Sequence, residues 1–198
     1  MSSVVISGDT SGAITLAAPS IAGTNTITLP AVTSTIATDI NGTLYPLTSG
    51  TAQASTSGTS IDFTSIPSWV KRITVMFNEV STNGSAAVLV QLGTSGTPTT
   101  SGYLSTKMEI NTAGNPASYT TGHGVVSGSA ANAASGQVVF CNVSGNIWVG
   151  TGSVKQSTTF MTFSNSSVTL GGVLNMLRIT TNGGTETFDA GSINILYE

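Results

Sequence analysis

Leu104-Ser105-Thr106-Lys107-Met108-Glu109-Ile110 alternates without a break, Leu, Thr, Met and Ile at one set of positions and Ser, Lys and Glu at the other. A repeat of two is that of a β-strand with one buried face, because successive side chains leave opposite sides of the backbone. The pattern predicts Leu104, Thr106, Met108 and Ile110 inward, with Ser105, Lys107 and Glu109 toward solvent. Arg72–Val80 repeats the alternation, with Ile73, Val75 and Phe77 on one face and Thr74, Met76 and Asn78 on the other. Ala86–Leu92, Val138–Val143, Ile147–Val149 and Val173–Ile179 are apolar on both faces, which predicts central strands or strands covered outside by a neighbouring subunit. Further strands are expected at Ile61–Thr64, Thr159–Phe163, Ser167–Leu170 and Ser192–Tyr197. About ten strands, Gly/Ser/Asn turns and no helical periodicity predict an all-β chain built around a jelly-roll-like β-sandwich.

The composition bears on what such a sandwich is for. Of 198 residues, 28 are Ser, 33 are Thr and 23 are Gly, and only 7% are charged. Ordinary soluble domains carry about 25% charged residues. So few charges protect a monomer poorly against self-association, which predicts a subunit held in an assembly. Lys71, Arg72, Lys107, Lys155 and Arg178 are the only cations and are too scattered to form a phosphate-neutralising stripe, so no nucleic-acid partner is expected. The longest apolar run, Ala86–Val90, is far too short to span a bilayer, and no membrane insertion is expected. Met1–Ser11 has no Lys or Arg, so no secretory signal is expected. Cys141 is the single cysteine and cannot form an internal disulfide. These features fit a chain made in a bacterial cytoplasm.

The chain changes character near residue 60. Residues 1–52 hold apolar residues only in short fragments, and Ile14-Thr15-Leu16 returns as Ile27-Thr28-Leu29. Strands this short bury little alone. They are expected to complete their core with other copies of the same chain, through Ile14, Leu16, Ile27, Leu29 and Ile36. Gln53–Ser60 reads as a linker, and residues 61–198 as the sandwich. Asn111–Gly136 reads as a long, Gly-rich loop with room for one short strand around Gly124–Ser127.

Catalytic chemistry finds few residues to use. His123 is the only histidine, and no nucleophile elbow or phosphate-binding glycine motif occurs. Glu186 and Asp189 form the closest acidic pair, the residue types a glycosidase needs, but a solvated hairpin accounts for both. No enzyme activity, metal or cofactor is expected. Cys141 reads as a small buried hydrophobe. Trp69 is expected to pack the linker onto the sandwich, and Trp148 to cover a core or inter-subunit contact. Tyr103, Tyr119 and His123, set among Ser, Thr and Asn in apparent loops, are the candidate receptor contacts, since aromatic faces beside small hydrogen-bonding groups suit polysaccharide and protein epitopes.

Two segments carry a resemblance. Gly23–Thr38 (GTNTITLPAVTSTIAT) resembles short β segments common in fibre and tail proteins of tailed bacteriophages and prophages. Ser60–Val80 (SIDFTSIPSWVKRITVMFNEV) resembles the opening of a β domain at the C-terminal end of phage virion proteins. The resemblance implies a homotrimeric structural protein of the virion. Its N-terminal segment would attach to other virion proteins, and its distal β domain would meet host-surface polysaccharide or protein. The alternative is a capsid decoration protein that stabilises the head without binding a receptor. The resemblance brings no catalytic motif.

Overall fold

The computed structural model describes residues 3–7, 13–17, 47–110, 114–158 and 160–198, and no helix occurs among them. The chain divides into two compact units, Met1–Leu44 and Tyr45–Glu198. In the first, β1 (Ser3–Ser7) pairs antiparallel with β2 (Ala13–Ala17), placing Val4 opposite Leu16 and Ile6 opposite Ile14. Ile27, Leu29 and Ile36 lie outside the described residues.

The second unit begins with two short strands, β3 (Thr48–Ser49) and β4 (Gln53–Ala54), followed by β5 (Ser60–Thr64), β6 (Arg72–Thr82) and β7 (Val88–Thr94). Next come β8 (Thr97–Pro98), β9 (Leu104–Ile110), β10 (Asn115–Tyr119), β11 (His123–Val126) and β12 (Ala134–Ser144). The chain closes with β13 (Ile147–Lys155), β14 (Met161–Thr169), β15 (Leu174–Thr181) and β16 (Phe188–Tyr197). The larger sheet runs β10-β9-β14-β13-β12-β6-β16-β3, with β4 also on β16. The smaller runs β11-β7-β15-β5, with β8 on β7. One apolar core joins them: Ile73, Val75, Phe77, Phe140, Trp148 and Ile193 from the larger sheet, and Ile61, Phe63, Val90, Leu177 and Ile179 from the smaller. The all-β sandwich expected from the alternation is therefore present, with a β12–β13–β14 meander at the middle of the larger sheet.

Local chemistry sets the turns. Thr94 and Thr97 face each other across Ser95 (φ 52°) and Gly96 (φ 74°), a two-residue hairpin whose left-handed pair matches the twist of the strands it joins. Between β12 and β13 the Asn142 side-chain amide donates to the carbonyls of Gly145 and Ile147 and closes the turn.

Three expectations change here, and one of two alternatives is selected, β7 being the central strand that Ala86–Leu92 predicted. Gln53–Ser60 is not a free linker: Ser55 is fully buried, and its amide and hydroxyl donate to the carbonyls of Gly191 and Ala190 in β16. β7 is buried on both faces within the chain. Val88, Val90 and Leu92 enter the core, while Gln91 on the other face donates to the Thr121 carbonyl of the segment crossing above it. A neighbouring subunit is not needed to cover that strand. Asn111–Gly136 contains β10 and β11, the latter where a short strand had room, so it is not one loop. Cys141 is exposed, because the odd-numbered positions of β12 face outward.

The stitching of residues 47–58 to β16 gives a direct test. A chain beginning at Tyr45 should melt as one cooperative β unit. A chain beginning at Thr59 loses β3, β4 and the Ser55 bonds, and its melting temperature should fall by about 5 °C or more, read by calorimetry. Equal melting temperatures would return Gln53–Ser60 to the status of a linker.

Candidate functional site

β9 has the predicted period and the opposite phase. Lys107 is 1% exposed and Leu104 76% exposed, and the burial alternates accordingly from Leu104 to Ile110. What holds the polar residues inside is a closed network. The Lys107 ammonium donates to the Glu109 carboxylate at 3.0 Å and to the Ser127 hydroxyl at 2.5 Å. Asn115, directly opposite Glu109 on β10, donates to the other carboxylate oxygen at 3.4 Å. Burial pushes the Glu109 carboxyl up, but the hydrogen bonds from Ser127, Lys107 and Asn115 and the charge of Lys107 outweigh it and hold the group below its usual range. Gln156 extends the network, donating to the Ser127 carbonyl at 3.0 Å.

His123 is the second anchor of this polar end of the core. It is fully buried, with Nδ1 2.7 Å from the Ser166 hydroxyl and Nε2 2.8 Å from the Ser164 hydroxyl, both on β14. Burial lowers its pKa to about 4, so at neutral pH the ring is uncharged, one nitrogen donating and the other accepting. Its edge meets the Phe140 ring at 5.2 Å. Gly150 leaves the space: a Cβ there would collide with Phe140 and with the Ser166 hydroxyl.

The outward face of the same strands is apolar. Met108 lies beside Phe163 and Ile110 beside Met161 across the β9–β14 pair. Val149 of β13 stands beside Cys141 of β12, and Leu104, Ile147 and Val143 continue the exposed surface. Thr106, Asn165 and Thr151 fill the gaps. The one charged side chain that these four strands turn outward is Lys155, at the rim and paired with Glu79 at 3.0 Å. Nearby, Phe160, Asn132, Ser157 and Thr158 line a groove with that ion pair.

The sequence-derived contact residues lie elsewhere than expected. Tyr103 is buried, its hydroxyl accepting from the Leu92 amide at 2.7 Å on the edge of β7 away from β15, between the stretches paired with β11 and β8, and burial pushes the phenol well up. His123 is in the core. Their Ser/Thr surroundings in sequence pointed to loops, whereas partners distant in sequence make burial tolerable, Ser164 and Ser166 for His123 and the Leu92 backbone for Tyr103. Tyr119 is half-buried on β10, its ring lying over Gly124, where a Cβ would overlap it. Glu186 accepts from the amides of Ser85 and Ala86, both at 2.7 Å, and Asp189 accepts from the Ser81 hydroxyl, so each carboxylate ties down a different part of the β6–β7 side. Trp148 is a core residue, and Trp69 packs on Tyr197 of β16 at 5.9 Å rather than on a linker. Among the described residues no group of three or more His, Cys, Asp or Glu side chains lies together as a metal site would require. Sequence reasoning missed the outer face of β9, β14 and β13. The available signal was Gly150 and Gly152 alternating between Trp148 and Val154, which marks the even positions as the crowded inner side.

Compared with known proteins, the chain matches no family model, no curated protein and no solved structure.

Two measurements test the polar core. As pH falls from about 6.5 toward about 4, the unfolded chain binds a proton at His123 that the folded chain refuses. This contribution is present above 6.5 and lost below it, by up to about 3 kcal/mol. Melting temperature should drop across that window, and more steeply in the parent than in His123→Gln. Lys107→Met leaves Glu109 buried without its cation and should cost about 3–5 kcal/mol in urea unfolding, while Lys107→Met with Glu109→Leu should recover most of the loss.

Proposed function

We propose that this chain is a structural, non-enzymatic subunit of a tailed-phage particle, a homotrimeric fibre that displays its sandwich for attachment to a host surface. The observation that carries the reading is the apolar outer face of β9, β14 and β13, whose single charge, Lys155, stands at the rim, and which a free monomer has no reason to maintain. The low charge of the whole chain supports it in the same way. The phage-like segment Ser60–Val80 supplies β5, an edge of the smaller sheet, and most of β6, an interior strand of the larger, and so contributes to both layers. The first unit, through Ile14, Leu16, Ile27, Leu29 and Ile36, is the part assigned to trimerisation and to anchoring on other virion proteins.

The engaged state of Glu186 and Asp189, and the burial of Lys107 and His123, favour a structural role over catalysis. The groove at Phe160 offers an aromatic ring among small polar groups, the chemistry that polysaccharide recognition uses. One such contact is weak, but three per trimer and many trimers per particle multiply the effective affinity.

Electron microscopy of particles labelled with an antibody to residues 61–198 tests the placement. Label on projecting fibres is the expected outcome. Label spread over the head lattice selects capsid decoration, and absence of label from every particle overturns the virion assignment.

A further inference from the structure

We infer that the outer face of the larger sheet, from β9 through β14 and β13 to β12, is the surface on which copies of this chain meet one another. This rests on the homotrimer of the proposed function and assigns its contact surface. The inverted phase of β9 is the starting point. A shift of one residue would exchange the two faces of the strand, yet the fold buries Lys107 and Glu109 and turns Leu104, Met108 and Ile110 outward. The inner arrangement is internally satisfied, so the outer one remains to be explained. Apolar side chains recur on the neighbouring strands in lateral register, Met108 with Phe163 and Ile110 with Met161, and so form a patch.

The chemistry of the patch selects its occupant. It has no outward charge except Lys155 at its rim, already paired within the chain, so it offers nothing to nucleic acid, an anionic membrane or an acidic partner. It is a mosaic of aliphatic, Met, Phe, Thr, Ser and Asn side chains, and three copies turning this face toward a common threefold axis would each cover it with the same chemistry. Its size is that of a small interface. Four strands from β9 to β12, about 4.8 Å apart, and about seven residues rising about 3.3 Å each give roughly 450 Å² in projection, near the roughly 500 Å² per partner at the lower end of specific interfaces. Arg72 of β6, beside Cys141 and paired with Glu198, bounds it on the far side.

Cys141 is a reporter placed on this face by the fold, the only cysteine in the chain, exposed and beside Val149. In the full-length protein at micromolar concentration, light scattering should give about three times 19.9 kDa. Maleimide should then label Cys141 on the order of tenfold more slowly than in the unfolded chain, since a covered thiol reacts only when the interface opens. Phe163→Lys, which alters an outward side chain and spares the core, should bring Cys141 labelling to the unfolded rate even where the first unit keeps the mass at three chains. Val173→Lys, at an exposed apolar position off this face, should change neither. If Phe163→Lys fails to fold, dilution of the parent protein replaces it, and labelling should speed up as the mass falls. A trimer in which Cys141 labels at the unfolded rate overturns this surface and leaves the fibre reading standing. A parent protein that stays a monomer overturns both.

Discussion

The ion pair between Lys107 and Glu109 decides which way β9 faces, and much of the larger sheet follows from it. Two charges inside a sandwich are tolerated only with full hydrogen bonding. Ser127 and Asn115 provide it, with Gln156 holding the Ser127 backbone, which ties β10 to β9 at the sheet edge and brings the segment after β11 to that end of the core. Because a strand has only two faces, satisfying the inner one commits Leu104, Met108 and Ile110 to the outside. β14 is bound by the same condition through Ser164 and Ser166, which hold His123, and so Met161 and Phe163 turn outward too. The interior therefore grades from apolar under β6, β12 and β16 to polar under β9 and β14.

Strand positions were legible where local pattern and tertiary demand agree. Arg72–Val80 was read correctly in period and phase, because Ile73, Val75 and Phe77 meet the opposing sheet and Thr74 and Met76 do not. Leu104–Ile110 was read correctly in period and wrongly in phase. The assumption that aliphatic residues face inward fails when a strand has an apolar surface outside and a satisfied polar network inside. Nothing within seven residues reveals that network, whose members come from as far along the chain as Gln156. Tyr103 and His123 illustrate the same limit. Ser and Thr neighbours are typical of loops, and only the three-dimensional pairing shows that the hydroxyls at 164 and 166 bond an imidazole in the core.

Glycine and serine abundance, first read as a sign of turns and linkers, has a second use in this fold. Gly150 and Gly152 sit in mid-strand on the inner face, under Phe140, Val138 and the hydroxyls of Ser164 and Ser166. Small residues there let large rings and hydrogen-bonded hydroxyls share one layer without leaving a void. A composition that looks permissive in sequence is thus partly a record of close packing. Asp62 and Arg178 show a contrasting solution on the smaller sheet, a two-pronged pair at 2.7 and 2.6 Å across β5 and β15 that remains partly open to water.

The seam between residues 48–55 and β16 has a mechanical meaning. β3 and β4 run antiparallel along β16, from Tyr197 opposite Thr48 to Ser192 opposite Ala54. Gly50 and Ser55 add amide bonds to the carbonyls of Ile195 and Gly191. Tension entering the sandwich from its N-terminal side and directed along this seam loads these bonds together in shear, not one after another as in peeling. The seam then acts as a brake that must slip as a unit before load reaches β5 and the core.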